Sequence, residues 1–525
     1  MALKRQGSGE VQGVNLFESL NASARRHAEK TAIVHGSERI PYGEFVSQVN
    51  RSADALEERG LRKGDRIALL MHNCPEFVIW FYGAMKLGLV TVSLNVMFKK
   101  DEMEYVLKDS EPRILVAQEP FRPLLESVDF IREKRIEVVW IGGDGGERAG
   151  REPGLEQRNA DPPEERGAGA VKPEDAAVIA YTSGTTGFPK GAVHTHENIL
   201  VHLEGMRRHL GFHSGDVFLA ALPFFQLVAF LIHAGMSVHV GGTLVILEKF
   251  EPHRFLEAVK SEGATFFAGV PTIYHMIYGV SEEFDVDLRT VRLGICAGSP
   301  LSQKLREQFE RRFSFRIVHC YGMTEIALIA ACEEPSSPPK GVSVGRVLPY
   351  VRMRIVREDG EQAGPEETGE IEIGAERALK HYWNKPLETG EAIRGGWFFT
   401  GDVGRFDTEG LLTIVDRIKD MIIRGGFNVF PAEIERVLLQ DPRVQEVAVV
   451  GVPQERLGEV PKAFVVLKER ARATEEELIG LTREKLANFK ALDEVEFVDA
   501  GFFPRNALGK ILKAKLRIIS KRNRG

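Results

Sequence analysis

At 525 residues the chain is too long for one hydrophobic core, and at about 100 to 200 residues per domain it must divide into several compact units. Its 69 lysines and arginines against 75 aspartates and glutamates leave a formal charge of −6, which excludes a dedicated nucleic-acid binder built on a basic surface. Hydrophobic residues make up 43% and charged residues 27%; the apolar runs at 77–89 and 227–240 are short or broken by Gly, His and Lys, so no integral membrane segment is expected. The polar, Gly-rich start, residues 1–13, has no secretory apolar core. Four cysteines (Cys74, Cys296, Cys320 and Cys332) form no CxxC pair, and read as reduced thiols packed as small apolar residues in a cytosolic protein.

Up to about residue 140 helical periodicity alternates with short apolar runs: 66–70, 113–117 and 136–141 read as strands, and 75–87 as an amphipathic helix. Such alternation predicts layered α/β structure with a largely parallel sheet. Residues 142–170, rich in Gly, Pro and charge, read as a mobile surface linker. The rhythm resumes at Ala176 and runs to about Glu333, with His194 and His196 read as alternating along a strand. Short strands at 344–356, 369–373 and 411–415 then predict a small β-rich unit. From about Arg417 the pattern is that of a compact, mobile α+β domain: a helix at 431–439, strands at 444–452 and 463–467, and a Thr474-to-Glu477 capping box opening a helix through Ala487.

The strongest local signal is Tyr181-Thr-Ser-Gly-Thr-Thr-Gly-Phe-Pro-Lys-Gly191, which follows the strand-like run 176–180. Small hydroxylated residues, glycines and one lysine supply the backbone donors and close approach that a polyphosphate needs. It is not a Walker A loop, because Lys190 is followed by Gly191 rather than Ser or Thr.

With this loop the chain resembles the adenylate-forming superfamily of acyl- and aryl-CoA synthetases, carrier-loading adenylation domains and beetle luciferase. Further motifs recur in the family's order: Tyr321-Gly-Met-Thr-Glu325, Gly396-Trp-Phe-Phe-Thr-Gly-Asp402, Asp416-Arg417-Ile-Lys-Asp420, Gly425-Gly426-Phe-Asn-Val-Phe-Pro431, and Pro504-Arg-Asn-Ala-Leu-Gly-Lys510. The resemblance covers nearly the whole chain. It implies an adenylation domain at 1–416 and a mobile C-terminal domain at 417–525. It implies ATP, Mg²⁺ and CoA as cofactor and co-substrates, and a small-molecule carboxylic acid as substrate. By residue, it implies an ATP/AMP site of Thr182, Ser183, Gly184, Thr185, Thr186, Lys190, Gly298, Ser299, Pro300, Tyr321, Gly322, Thr324, Asp402 and Arg417. Tyr321 would face the adenine, Asp402, set after a Thr400-Gly401 turn, would grip the ribose hydroxyls, and Glu325 would hold Mg²⁺ on the phosphates, as a hard cation prefers carboxylate oxygen. Lys510, with Glu325 and Thr182, would be catalytic: an ammonium between acyl and phosphate oxygens offsets the charge built up when a carboxylate attacks the α-phosphate. Lys419 matches the hinge, and Gly425 and Gly426 the backbone that passes the pantetheine arm.

The acid pocket is implied at Phe225, Gln226, Val228 and Cys320, in largely apolar segments that suit a fatty, branched or cyclic/aryl acid. No Asp stands where amino-acid-activating relatives hold an ammonium. Gln226 replaces the usual His, while Cys320 and Ala297 replace glycines, adding bulk that points to a narrower or shorter tunnel. The reading is an ATP-dependent acid–CoA ligase of the cytoplasm, able to form homodimers and without nucleic-acid partner. The alternatives are an acyl-AMP ligase loading a carrier protein's phosphopantetheine, and a non-catalytic acyl-adenylate binder.

Overall fold

The computed structural model describes residues 14–142, 170–182, 189–281, 288–505 and 509–522, so the expected linker lies almost wholly outside the described residues. Contacts divide the chain into two units, Met1–Arg352 with Gly374–Phe398, and Met353–Ile373 with Phe399–Gly525. No described helix is long and apolar enough to cross a membrane.

The first unit holds two large sheets. One has the strand order His381–Tyr382, Lys190–Thr195, Ala176–Thr182, Val90–Ser93, Arg66–Leu70, Ile114–Gln118, Glu137–Ile141. Pairing is parallel from Ala176–Thr182 to Glu137–Ile141 and antiparallel beyond it. Parallel neighbours need crossovers. Pro75–Leu87 provides one, with Pro75 preset for the first helical turn and Gly88 ending it in the left-handed region at φ 66°. The second sheet runs Arg346–Val347, Ile329–Cys332, Arg316–Gly322, Leu293–Cys296, Phe266–Gly269, Val217–Ala220, Thr243–Ile246, Thr31–His35, Glu38–Pro41. Four of its neighbours, Val217–Ala220, Phe266–Gly269, Leu293–Cys296 and Arg316–Gly322, are parallel, so the chain leaves all of them at one edge.

The last of these strands is anchored by a buried ion pair. Arg306, on helix Gln303–Phe313, donates to both carboxylate oxygens of Glu333 (2.9 and 2.6 Å) and to the Ile317 carbonyl (2.6 Å). Glu333 also accepts the His319 N–H at 2.8 Å. Both side chains are almost fully enclosed, at 5% and 7% exposure, and the extra hydrogen bonds offset part of their desolvation.

The second unit contains the strands Met353–Val356, Gly369–Gly374, Leu412–Arg417 and most of Trp397–Phe406, and a further sheet ordered Phe427–Val429, Ile422–Arg424, Gly458–Leu467, Val444–Gln454, with Glu494–Phe497 parallel to Gly458–Leu467. Period-2 alternation serves two cores: Val447 and Val449 face Ile434, Leu438 and Leu478, while Ala448, Val450 and Val452 face Phe503 and Leu516. Helices Pro431–Leu438 and Glu475–Lys485 therefore cover one face, and Lys513–Arg522 the other. The Thr474 capping box forms as expected, with Glu477 N–H to Thr474 Oγ1 and Thr474 N–H to Glu477 Oε2.

Some expected elements change. His196 does not continue a strand: Lys190–Thr195 ends one residue earlier, Thr195 caps the helix His196–Leu210 through the Asn198 N–H, and both histidines are buried. The expected strand 344–356 is two strands, because Pro349 cannot donate to a ladder and the chain turns there, Val351 N–H to Leu348 carbonyl. Gly401 is not in a turn; it kinks the strand Trp397–Phe406 at φ 68°.

Two predictions follow from burial. Arg306→Ala leaves the Glu333 carboxylate enclosed without its partner and should cost about 3–5 kcal/mol, read as a lower midpoint in guanidinium unfolding; an unchanged midpoint contradicts the anchor. Burial pushes the imidazoles of His194 down to about 3 and of His196, His202 and His233 to about 4. The unfolded chain binds these protons below about pH 6.5 and the folded one does not, so stability falls as pH drops from there toward 4, by up to about 1.4 kcal/mol per histidine per pH unit. Unfolding curves at pH 7 and 5 check this; equal stabilities contradict it.

Candidate active site

The carboxyl ends of parallel strands are where an open α/β sheet leaves loops free to meet a ligand. In the first unit the residues following Val217–Ala220, Phe266–Gly269, Leu293–Cys296 and Arg316–Gly322 include Phe225 and Gln226, Val270, Gly298 to Pro300, and Thr324 with Glu325. Segments expected to contact the acid and the nucleotide thus leave one edge of one sheet. Gly298 adopts φ 80°, and the Ser299 hydroxyl donates to its carbonyl at 2.9 Å. Tyr321 is buried, and a Cβ on Gly322 would stand 2.1 Å from the Leu328 carbonyl oxygen, so only glycine fits there.

The Thr/Gly loop springs from the other sheet. Its ends, Thr182 and Lys190, are cross-strand partners, and the Thr182 hydroxyl lies 3.5 Å from the Lys190 carbonyl. Ser183, Gly184, Thr185 and Thr186 lie outside the described residues. Tyr181, at the loop's start, donates to Asp109 Oδ2 at 2.6 Å, and Asp109 also pairs with Lys385 at 3.1 Å. Burial, then Asp109, pushes the Tyr181 phenol up, so it remains protonated as a donor.

The two sheets meet at Glu325. His194 Nε2 lies 2.8 Å from the Thr324 carbonyl, Leu379 N–H donates to the Glu325 carbonyl at 2.6 Å, and the Tyr382 hydroxyl donates to Glu325 Oε1 at 3.2 Å. Lys190 Nζ stands 5.3 Å from the Tyr382 ring centroid. Glu325 is half-buried. Among the described residues no cluster of three or more acidic, His or Cys side chains could cage a metal. A lone carboxylate instead fits Mg²⁺, which keeps its waters and takes its other ligands from phosphate.

On the acid side, Phe225, Gln226 and Val228 are half-exposed, whereas Phe224, Leu227, Ala229 and Phe230 are buried. Asn73 pins this segment, donating to the Leu222 carbonyl at 2.8 Å and accepting the Phe224 N–H at 2.7 Å. The helix continuing from it loosens to a π-turn at Leu231–Gly235, where His233 Nδ1 is 2.8 Å from the Ala229 carbonyl and Nε2 accepts the Ala268 N–H at 3.2 Å. Cys320 is buried and lies across the strand pair from Cys332.

The second unit gathers the remaining expected residues. Asp402 and Arg417 are cross-strand partners joined at 2.6 Å. Asp416 accepts the Arg417 and Ala432 N–H groups, both at 2.8 Å, tying the strand end to the start of Pro431–Leu438. Crowding by protein, then by Arg417, pushes Lys419 down to about 8 and Lys510 below the usual lysine range, with Asp402 and Asp420 pulling the other way. Both lysine side chains still reach solvent, which moderates the effect. Gly425 and Gly426 are the two central residues of a tight hairpin between Ile422–Arg424 and Phe427–Val429, at φ 57° and 86°, a turn that strongly favours residues without a side chain. Several cations of the basic C-terminal stretch are satisfied internally: Lys513 by Glu435 at 2.7 Å, Arg505 by Glu446, and Arg517 by the Lys419 and Asp420 carbonyls at 2.8 and 3.0 Å.

Sequence reasoning missed Tyr382, Asp109, His194 as a support for Thr324, and Asn73. Each acts through a bond to a residue remote in the chain, and a lone polar or aromatic side chain carries no periodic signal for that.

The model of the AMP-binding enzyme family matches residues 20–383, and that of the AMP-binding enzyme C-terminal domain matches 433–510. The long-chain-fatty-acid–CoA ligase FadD13 of Mycobacterium tuberculosis is 36% identical over 91% of this chain and 93% of its own. Feruloyl-CoA synthase of an Amycolatopsis species is 34% identical over 96% and 99%. Among solved structures, ATP-bound MatB from Rhodopseudomonas palustris superposes with a TM-score of 0.89 at 30% identity, over 98% of this chain and 100% of its own. With its sheets, its strand-end loops and both parts of the chain matched, this protein belongs to the AMP-binding, adenylate-forming enzyme family.

Proposed function

We propose that the protein is an AMP-forming acid–CoA ligase acting on a hydrophobic carboxylic acid. The observation that carries this reading is the departure of the acid-side and phosphate-side segments from the carboxyl ends of neighbouring parallel strands, with Glu325 and Lys190 held about Tyr382. The relatives' names support the substrate class, one a fatty-acid ligase and one a feruloyl-CoA synthase. The apolar character of Phe225 and Val228, and the buried Phe224 where an ammonium would otherwise need an acid, agree with it.

The reaction runs in two displacements. A carboxylate oxygen of the acid attacks the α-phosphorus of ATP and pyrophosphate leaves; the CoA thiolate then attacks the acyl carbon and AMP leaves. Mg²⁺ bound with ATP would neutralise phosphate charge. Glu325 would supply it a carboxylate oxygen, Lys190 would meet the phosphates, Tyr321 would stack on the adenine, and Gly298, Ser299, Pro300, Gly322 and Thr324 would line the remaining surface. Asp402, already bridged to Arg417, holds the ribose. Lys510 stabilises the oxygens that gain charge in the first displacement. Burial, then Arg417, lowers the pKa of Lys419 and Lys510, and a bound anion would offset that penalty. The functional boundary falls at 416/417, with Lys419 as the hinge and the Gly425–Gly426 hairpin serving the thiol. Four free, buried cysteines support a cytoplasmic setting.

The test is pyrophosphate and AMP release with MgATP across straight-chain, branched and aromatic acids, with and without CoA. CoA-dependent turnover with thioester accumulation is expected; pyrophosphate release that CoA does not accelerate points to a carrier-protein acceptor and to Gln226 as its cause. Lys510→Ala should lower acid-dependent pyrophosphate release at least a hundredfold, on the order of an electrostatic transition-state contact, while ATP affinity changes little; equal losses in both contradict its role. Gly426→Val should slow thioester formation from preformed acyl-AMP more than it slows adenylation, and rapid-quench measurement of the two half-reactions separates them.

A further inference from the structure

Tyr382 touches two of the charged groups assigned above to the phosphates, and no motif of the sequence singles it out. Its hydroxyl donates to Glu325 Oε1 at 3.2 Å, and the Lys190 ammonium lies 5.3 Å from its ring centroid. The side chain is 8% exposed, and its backbone has little freedom. His381 and Tyr382 pair with Val193 and Ala192, the Tyr382 N–H donates to Thr389 Oγ1 at 3.0 Å, and the Trp383 N–H donates to the Gly191 carbonyl at 2.7 Å. The same stretch reaches Asp109, through Trp383 Nε1 at 3.0 Å, Asn384 Nδ2 at 3.2 Å and Lys385 Nζ at 3.1 Å, and so touches the residue that holds Tyr181.

We infer that Tyr382 is a positioning residue for the phosphate end of the nucleotide, orienting the Glu325 carboxylate toward the Mg²⁺ of MgATP and steadying Lys190 over its ring. This rests on the ligase reading of the same site. A phenol has one proton to give; donated to Oε1, it orients the carboxylate, whose oxygens suit a hard cation. The ring face attracts the ammonium without neutralising it, so Lys190 keeps its full charge for phosphate. Tyr382→Phe removes only the first effect, and Tyr382→Leu removes both.

The experiment is calorimetric binding of ATP, without acid or CoA, in Mg²⁺ and in EDTA, to the wild type, Tyr382→Phe, Tyr382→Leu, Glu325→Gln and the Tyr382→Phe/Glu325→Gln pair, with thermal unfolding as a check on folding. Tyr382→Phe should weaken binding about tenfold in Mg²⁺, the scale of one charge-assisted hydrogen bond, and leave binding in EDTA unchanged. Tyr382→Leu should weaken binding in EDTA as well, and the double variant should bind no more weakly than Glu325→Gln alone. A Tyr382→Phe loss that is equal with and without Mg²⁺, or no loss where Glu325→Gln abolishes the Mg²⁺ effect, overturns the positioning role alone. Wild-type affinity indifferent to Mg²⁺, or unchanged Mg²⁺ dependence in Glu325→Gln, refutes the assignment of Glu325 and the inference with it.

Discussion

The enclosed ion pair between Arg306 and Glu333 fixes the strand Arg316–Gly322, from whose end the residues proposed to meet the nucleotide depart. Two charges removed from water are tolerable only if every remaining donor and lone pair is used. Here Arg306 also takes the Ile317 carbonyl and Glu333 the His319 N–H. Those bonds grip Arg316–Gly322 on both sides of Val318, so the exit of the chain at Tyr321 and Gly322, and hence the start of the Thr324–Glu325 turn, cannot slide. His194 and Leu379 then hold that turn from the neighbouring sheet through its backbone carbonyls.

The second unit gathers positive charge and balances much of it with its own carboxylates. Lys513, Arg505 and Arg517 are each given a carboxylate, and Arg417 shares Asp402. Burial and then Arg417 lower the pKa of Lys419 and Lys510, while Asp402 and Asp420 pull the other way.

Much of this was legible in the sequence because it is written locally. The Pro75 start and Gly88 stop, the Thr474 capping box, and the apolar runs of the parallel strands depend on residues within a turn of one another. The Thr/Gly loop and Lys510 stood out for another reason: their residue types and spacing match the family's motifs. His196 was misplaced because strand alternation and helix start share the His-Thr-His stretch, and only the Thr195 cap separates them. Thr400-Gly401-Asp402 read as a turn because glycine signals one, while in the fold Gly401 bends a strand that continues through it. Tyr382 and Asp109 were illegible. Their partners lie 57 and 72 residues away, at Glu325 and Tyr181, and no local pattern encodes such a contact.

The route through an acyl-adenylate is tested most directly by following oxygen. With an acid labelled with ¹⁸O in its carboxylate, attack on the α-phosphorus places a labelled oxygen between carbon and phosphorus, and the thiolate's attack at carbon leaves that oxygen on the phosphate. Mass spectrometry after turnover with MgATP and CoA should find one labelled oxygen in AMP and none in pyrophosphate. Label in inorganic phosphate with ADP as co-product, or label absent from AMP while thioester accumulates, would contradict the acyl-adenylate route.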